Sequence, residues 1–367
     1  MKLLFILGGY GSTGKCFSEL FLSNYKDSAK LIIAGRTIKE AQEYAKYLSN
    51  KYKVEVGSAY CDPTKASTLS SIQGSSIVMV LSPNAADVTK IADACMQYKS
   101  DYYDINYSSA KVKSLKALSD KINASGQLFV SDGGFHPGMP GIFSRYALSK
   151  LPTAKSITSS LLIRQQFDHY NVRTETWDEF INELQNYDCS IYRKGKKVMV
   201  PMTSSACMKK INFGKYGTES GALMGLDELE EFAKSNPNIE ETSFYVAGFN
   251  SFTNNVVIPF IYTIGKHFKK LSRKLFAWSL KKTKAPYISY VRTEAVDAKE
   301  HFVLECSHED GYVLTAISAC AFVKQYMDGV LPKKGIFVQG SVCEPKRFID
   351  DARSLGMKTV EAKFTEI

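Results

Sequence analysis

The sequence lacks the features that mark secreted, membrane-spanning and metal-dependent proteins. No run approaches the ~20 uninterrupted apolar residues of a membrane span, and the apolar opening at residues 3–7 is too short for a secretion signal. The eight cysteines (Cys16, Cys61, Cys95, Cys189, Cys207, Cys306, Cys320 and Cys343) are scattered, with no Cys-x-x-Cys pair and no histidine at ligand spacing. That distribution excludes a zinc ribbon and a disulfide framework, and it predicts reduced, mostly buried thiols in a cytoplasmic protein without a metal site. There is no Gly-x-Ser-x-Gly elbow and no local signature of a nucleophilic cysteine, which disfavours hydrolysis. Zinc-finger and aromatic-basic RNA motifs are missing, so nucleic acid is not an expected partner. Internal repeats and low-complexity segments are absent as well.

What is present begins at the first residues. A short apolar strand runs into Gly8-Gly9-Tyr10-Gly11-Ser12-Thr13-Gly14, and a helical pattern follows over residues 15–25. Gly9, Gly11 and Gly14 fill the three slots of Gly-x-Gly-x-x-Gly: a tight turn, close backbone approach to a pyrophosphate, and packing of helix on strand. The phosphates are expected on the free N–H groups of the helix start. A second apolar strand over 30–34 ends in Gly35-Arg36-Thr37, with no carboxylate before Glu40. An acidic residue there would accept from a ribose 2′-hydroxyl, whereas Arg36 offers a fork of donors to a 2′-phosphate and Thr37 adds a hydroxyl. The cofactor expected is therefore NADP.

A chain of 367 residues exceeds what one core usually holds. Helix and strand patterns alternate through residue 131: strands at 54–60, 77–81, 101–105 and 128–131, helices at 38–50, 66–72, 86–98 and 109–124. This predicts a doubly wound parallel sheet, a Rossmann fold, over residues 1–138. From 139 to 314 longer strand-like runs at 156–163, 189–192, 196–200, 208–213, 244–249, 287–294 and 301–306 predict an α+β substrate and dimerisation domain with a mainly antiparallel sheet. Residues 315–367 read as helices that pack back on the first domain.

The formal net charge is +10, and much of the surplus lies within 265–284, which holds eight Lys or Arg and no acid. Ile264, Phe268, Leu271, Leu275 and Trp278 recur there at helical spacing, with lysines largely interleaved on other faces. Residues 264–284 thus form a basic amphipathic helix. Its stripe can pack on its own domain with lysines facing water, contact an anionic membrane surface, or meet nucleic acid or another acidic partner.

The motifs taken together resemble the saccharopine dehydrogenase family, in its NADP-dependent branch whose substrates are unassigned. The resemblance rests on the glycine loop, Ala34-Gly35-Arg36-Thr37, Cys61-Asp62-Pro63-Thr64, Val80-Leu81-Ser82-Pro83, Tyr102-Tyr103-Asp104-Ile105 and Gly134-Phe135-His136-Pro137-Gly138. It continues in His308-Glu309-Asp310-Gly311-Tyr312-Val313-Leu314-Thr315-Ala316 and the closing helix at 345–356. It implies an oxidoreductase in which NADPH reduces an imine, a homodimer formed through the second-domain sheet, Gly11, Ser12 and Thr13 on the pyrophosphate, Arg36 and Thr37 on the 2′-phosphate, Asp62 on the adenine side, and Leu81, Ser82 and Pro83 on the nicotinamide ribose. Asn84 departs from the pattern: saccharopine-forming members tend to place an aromatic there, beside the substrate.

Ligands bind past the carboxyl ends of strands in such sheets, which selects Tyr103, Asp104 and Tyr107 after the fifth strand and His136 after the sixth. Asp104 or His136 can serve as general acid with the other as orienter, and each also fits a local role as a cap or turn residue. Tyr103, Tyr107 and Asn84 are expected near the substrate, with Arg164 and Arg173 to hold its carboxylates. A rival reading keeps the cofactor and reduces a lipid-like C=C; another is a non-catalytic NADP-sensing binding protein.

Overall fold

The structure, a computed structural model, describes residues 1–83, 88–166, 174–202 and 204–365, with the side chains of all of these except residues 175, 176, 179 and 266. The first strands are β1 (Lys2–Leu7), β2 (Ala29–Gly35), β3 (Val56–Tyr60), β4 (Ile77–Val80), β5 (Asp101–Asp104) and β6 (Leu128–Ser131). There follow β7 (Ser156–Arg164), β8 (Ser190–Arg193), β9 (Lys196–Met199), β10 (Met208–Asn212), β11 (Thr218–Leu223) and β12 (Glu241–Ala247). The last are β13 (Ile288–Val296), β14 (Glu300–His308), β15 (Gly335–Val338) and β16 (Lys358–Thr365).

The chain divides into two units. The first comprises Met1–Ile142 and Tyr312–Met357. Its sheet runs β15-β6-β5-β4-β1-β2-β3 with every pair parallel. Strands 3-2-1-4-5-6 are in the order expected of a doubly wound dinucleotide-binding sheet. β4 and β6 are buried along their whole length, as parallel strands covered on both faces must be. On one face Phe5, Leu7, Val78, Val80 and Tyr102 share a core with Phe129, whose ring stacks on Tyr102 at 5.3 Å. β15 extends the sheet beyond β6; four residues carry too little periodicity to be read as a strand.

The second unit comprises Phe143–Gly311 and Lys358–Ile367. Its sheet runs β10-β11-β12-β7-β13-β14-β16, with the β8–β9 hairpin joined to β12 through β8. Among the described strands of this second sheet only β12 and β7 pair in parallel; the rest are antiparallel. β11 and β16 were not visible in the sequence pattern. β16 is an edge strand with few buried residues, so its sequence alternates weakly.

The basic segment folds otherwise than a stripe packed on its own domain requires. Its helix spans Lys269–Leu280 and turns Ser272, Phe276, Ser279 and Leu280 inward, where Phe276 and Leu280 pack with Ile181, Val257 and Ile261. Of the expected stripe, only Leu275 is partly buried against that cluster. Ile264, Phe268, Leu271 and Trp278 lie on the outside.

Candidate cofactor and active site

The glycine loop leaves β1 as a tight turn. The Gly9 N–H donates to the Ile6 and Ala34 carbonyls at 3.1 and 3.2 Å, and the Gly11 N–H donates to the Gly8 carbonyl at 2.9 Å. The helix Ser12–Tyr25 then starts with Gly11 at its cap position, no capping side chain and no acid in its first turn. Bare first-turn N–H groups and the positive end of the helix dipole together favour an anion. A Cβ at Gly14 would stand 2.3 Å from the Gly8 oxygen and 2.6 Å from the Gly9 Cα, so only glycine lets the helix close onto the loop. This cradle fits a dinucleotide pyrophosphate. Ser12 is exposed at its rim, while Thr13 is nearly buried.

Tyr10 connects the loop to the end of β2. A Cβ at Gly35 would lie 2.5 Å from the Tyr10 ring, and the Tyr10 hydroxyl accepts from the Thr37 N–H at 2.9 Å. Tyr10 is thus a brace, almost fully buried, that sets the path of Arg36 and Thr37 while their side chains stay exposed. Beside them the β2–β3 register pairs Gly35 with Tyr60 and delivers Asp62. The Asp62 Oδ1 accepts from the Thr64 N–H at 3.1 Å and the Thr64 hydroxyl at 2.8 Å. Burial alone would raise its carboxyl, but the Thr64 hydrogen bonds and the Lys65 and Arg36 charges outweigh burial and hold it below the usual range. The result is a donor-rich ledge at Arg36 and Thr37 beside one balanced carboxylate, chemistry that suits a 2′-phosphate.

At the end of β4 the Leu81 N–H donates to the Leu7 carbonyl at 2.9 Å, and the Ser82 hydroxyl reaches the same oxygen at 3.4 Å. This holds Leu81 and Ser82 beside the end of β1, with Pro83 next in the chain, the segment that the family resemblance associates with the nicotinamide ribose. Asn84 and Arg173 lie outside the described residues.

The end of β5 corrects two expectations. Asp104 is fully buried, and its oxygens are filled. Oδ1 accepts from Lys111 Nζ at 2.5 Å and the Asn106 N–H at 3.1 Å; Oδ2 accepts from the Tyr102 hydroxyl at 2.7 Å and the Ser131 hydroxyl at 2.9 Å. A carboxylate has about four acceptor positions, so Asp104 has none left for a substrate and is a structural anchor. Lys111 also reaches Asp132 at 2.9 Å and the Asn106 carbonyl. Burial works to lower its ammonium, yet the two carboxylates outweigh burial and hold it above the usual lysine range. The sequence reading missed Lys111. The available signal was a lysine four residues before Leu115, on the buried face of the helix Ser109–Lys116. Tyr103 is likewise withdrawn from the substrate: it is fully buried, stacks on Phe322 at 4.3 Å and donates to Gln339 Oε1 at 2.8 Å.

His136 and Tyr107 lie past the strand ends with rings stacked at 5.7 Å; both residues are partly exposed, but the His136 Nδ1 is buried. Burial lowers the His136 imidazole to about 4. An imidazole lowered this far is neutral near pH 7, the form that suits the orienting one of its two expected roles. Arg164, in the second unit, is paired with Glu219 and donates to the Tyr216 carbonyl at 3.1 Å. Both contacts use Nη2, so Arg164 is held in an ion pair within the second unit. Among the described residues no cluster of His, Cys, Asp or Glu could hold a metal ion.

Residues 4–134 match the family model of the saccharopine dehydrogenase NADP binding domain, which contains the glycine loop, the Arg36 ledge and the β4 end. The chain is 23% identical over 271 residues to a carboxyaminopropylagmatine dehydrogenase of Synechocystis sp.; the match spans 68% of this chain and 62% of that protein. Its fold matches the apo saccharopine dehydrogenase (L-Glu forming) of Saccharomyces cerevisiae with a TM-score of 0.67, at 12% identity, over 99% of this chain and 100% of the other.

Proposed function

We propose that this chain, whose residues 4–134 match the NADP binding domain of saccharopine dehydrogenase, is an NADP-dependent oxidoreductase of that family that reduces an imine, a C–N bond, of an amino-acid-like or amine substrate. The observation that carries the reading is the ledge at the end of β2. Arg36 and Thr37 stand where a dehydrogenase selective for NAD presents a carboxylate, and Tyr10 holds them beside the phosphate cradle. The names of the two relatives described above support an amine-bearing substrate.

When bound, the nicotinamide supplies the hydride. The loop and helix start at Gly11, Ser12 and Thr13 would hold the pyrophosphate, Arg36 and Thr37 the 2′-phosphate, and Asp62 would accept on the adenine side. Leu81, Ser82 and Pro83 would hold the nicotinamide ribose at the end of β4. Reduction of an iminium demands orientation above all. The iminium carries its own proton on nitrogen, so the chain need only hold it, and neutral His136 with Tyr107 orients that nitrogen by hydrogen bonding. We place the enzyme in the cytoplasm as a homodimer, a state that light scattering of the purified protein tests.

The cofactor assignment is tested by thermal unfolding with NADPH and, separately, NADH. Ligand at ~100 times its dissociation constant adds about 2.7 kcal/mol, a shift of several degrees. NADPH is expected to stabilise far more than NADH, and Arg36→Ala is expected to abolish the difference. Equal shifts by the two nucleotides would refute the 2′-phosphate site. Consumption of NADPH with aldehyde and amino-acid or amine pairs, against enoyl thioesters, then tests the bond reduced.

A further inference from the structure

We infer that the helical segment around 249–284 is a membrane-docking surface, which seats this protein in the plane of an anionic lipid surface without spanning it. The inference stands independently of the oxidoreductase reading.

The helix Lys269–Leu280 is turned inside out. Lys269–Leu280 has two possible inner faces, and the one it buries, Ser272, Phe276, Ser279 and Leu280, is half serine. The more apolar one faces water: Leu271 is 53% and Trp278 48% exposed, continuing a line from Ile264 and Phe268 at 52% and 55%. Phe252 joins them, its ring edge-to-face with Trp278 at 5.7 Å. Large apolar groups set together on a surface, with polar groups at their rim, mark a site of contact.

The rim is cationic. Residues 265–284 carry eight Lys or Arg and no acid, and Lys269, Lys270, Lys274, Lys281, Lys282 and Lys284 are exposed. Lys282 Nζ stands 3.6 Å over the Trp278 ring, so cation and aromatic are presented together. Arg273 points elsewhere and pairs with Asp178 at 3.2 Å.

Charge chooses the occupant. A second copy docked by two-fold symmetry would set these lysines against the same lysines. A nucleic acid would engage the lysines and leave the apolar line without purpose. An anionic bilayer satisfies both, taking Phe268, Leu271 and Trp278 into the acyl boundary and the lysines at the headgroups. Among the described residues no helix is long and apolar enough to cross a membrane, so the attachment lies in the interface.

The test is sedimentation of the full chain with vesicles of phosphatidylcholine alone or mixed with phosphatidylserine. Binding is expected to the mixed vesicles only, and to fall at ~1 M salt, where the screening length is about 3 Å. A basic side chain near an anionic surface is worth about fivefold in binding; Lys269→Glu with Lys270→Glu and Lys274→Glu should therefore weaken it by at least ~100-fold. Phe268→Ser with Leu271→Ser changes only exposed positions, so it should keep the wild-type unfolding temperature while weakening binding at least ~10-fold. In a Trp177→Phe background, which leaves Trp278 as the only tryptophan, emission should shift to the blue on adding mixed vesicles. The inference is overturned if the wild type stays in the supernatant with mixed vesicles at low salt. It is overturned equally if Phe268→Ser with Leu271→Ser converts an oligomer to monomer, or if the chain binds a polynucleotide more tightly than the vesicles.

Discussion

Asp104→Asn separates a structural anchor from a catalytic acid. In the folded unit the Asp104 carboxylate takes four hydrogen bonds, one from the fully buried Lys111. The amide removes its charge and puts a donor where a hydroxyl or an ammonium now donates, leaving Lys111 with one carboxylate, Asp132, and the Asn106 carbonyl. Breaking a buried ion pair from one side costs about 3–5 kcal/mol. Because Asp132 remains, the low end applies, about 3 kcal/mol. For a unit of this size, Met1–Ile142 with Tyr312–Met357, that predicts a fall in unfolding temperature of roughly 6–12 °C. The assay is thermal unfolding by circular dichroism with and without NADPH. The variant should unfold early yet keep the NADPH-dependent upward shift, since no Asp104 atom is left to meet a ligand. An unfolding temperature within about 2 °C of wild type, together with lost NADPH oxidation, would refute the anchor and restore Asp104 as proton donor.

Gly14→Ala drives a Cβ to 2.3 Å from the Gly8 oxygen; calorimetry should find no NADPH binding and a loss of about 1–3 kcal/mol in stability. Tyr10→Phe deletes the acceptor of the Thr37 N–H, costs about 0.5–1.5 kcal/mol, and should weaken NADPH more than NADH because the ledge for the 2′-phosphate loses its brace. His136 titrates near 4 when folded and near ~6.5 when unfolded. The unfolded state therefore takes the proton first, and stability should decline as pH falls from about 6.5 to about 4. Urea titrations across that window should show a shallower decline in His136→Gln.

The alternation of strand and helix, the glycine loop and the strand before it follow from local sequence. Each reports what a residue's own neighbours must do: period-two and period-3.6 patterns name a face, and Gly14 must be glycine because the turn it closes is only a few residues away. The donor-rich end of β2 is legible for the same reason, since Arg36 and Thr37 stand at a fixed distance from the fingerprint. What the sequence cannot state is what a face meets. Asp104 and Tyr103 stand at a strand end, where ligands usually sit, but Lys111, Asp132, Phe322 and Gln339 arrive from elsewhere in the chain and close over them. β15 and β16 become strands only because β6 and β14 offer them a partner. The stripe of Phe268, Leu271 and Trp278 has the period of a buried helix face, yet the packing of Phe276 and Leu280 on Val257 and Ile261 turns it toward water. Periodicity determines which side chains lie together. Only tertiary packing decides whether they meet the protein's own core or something outside it.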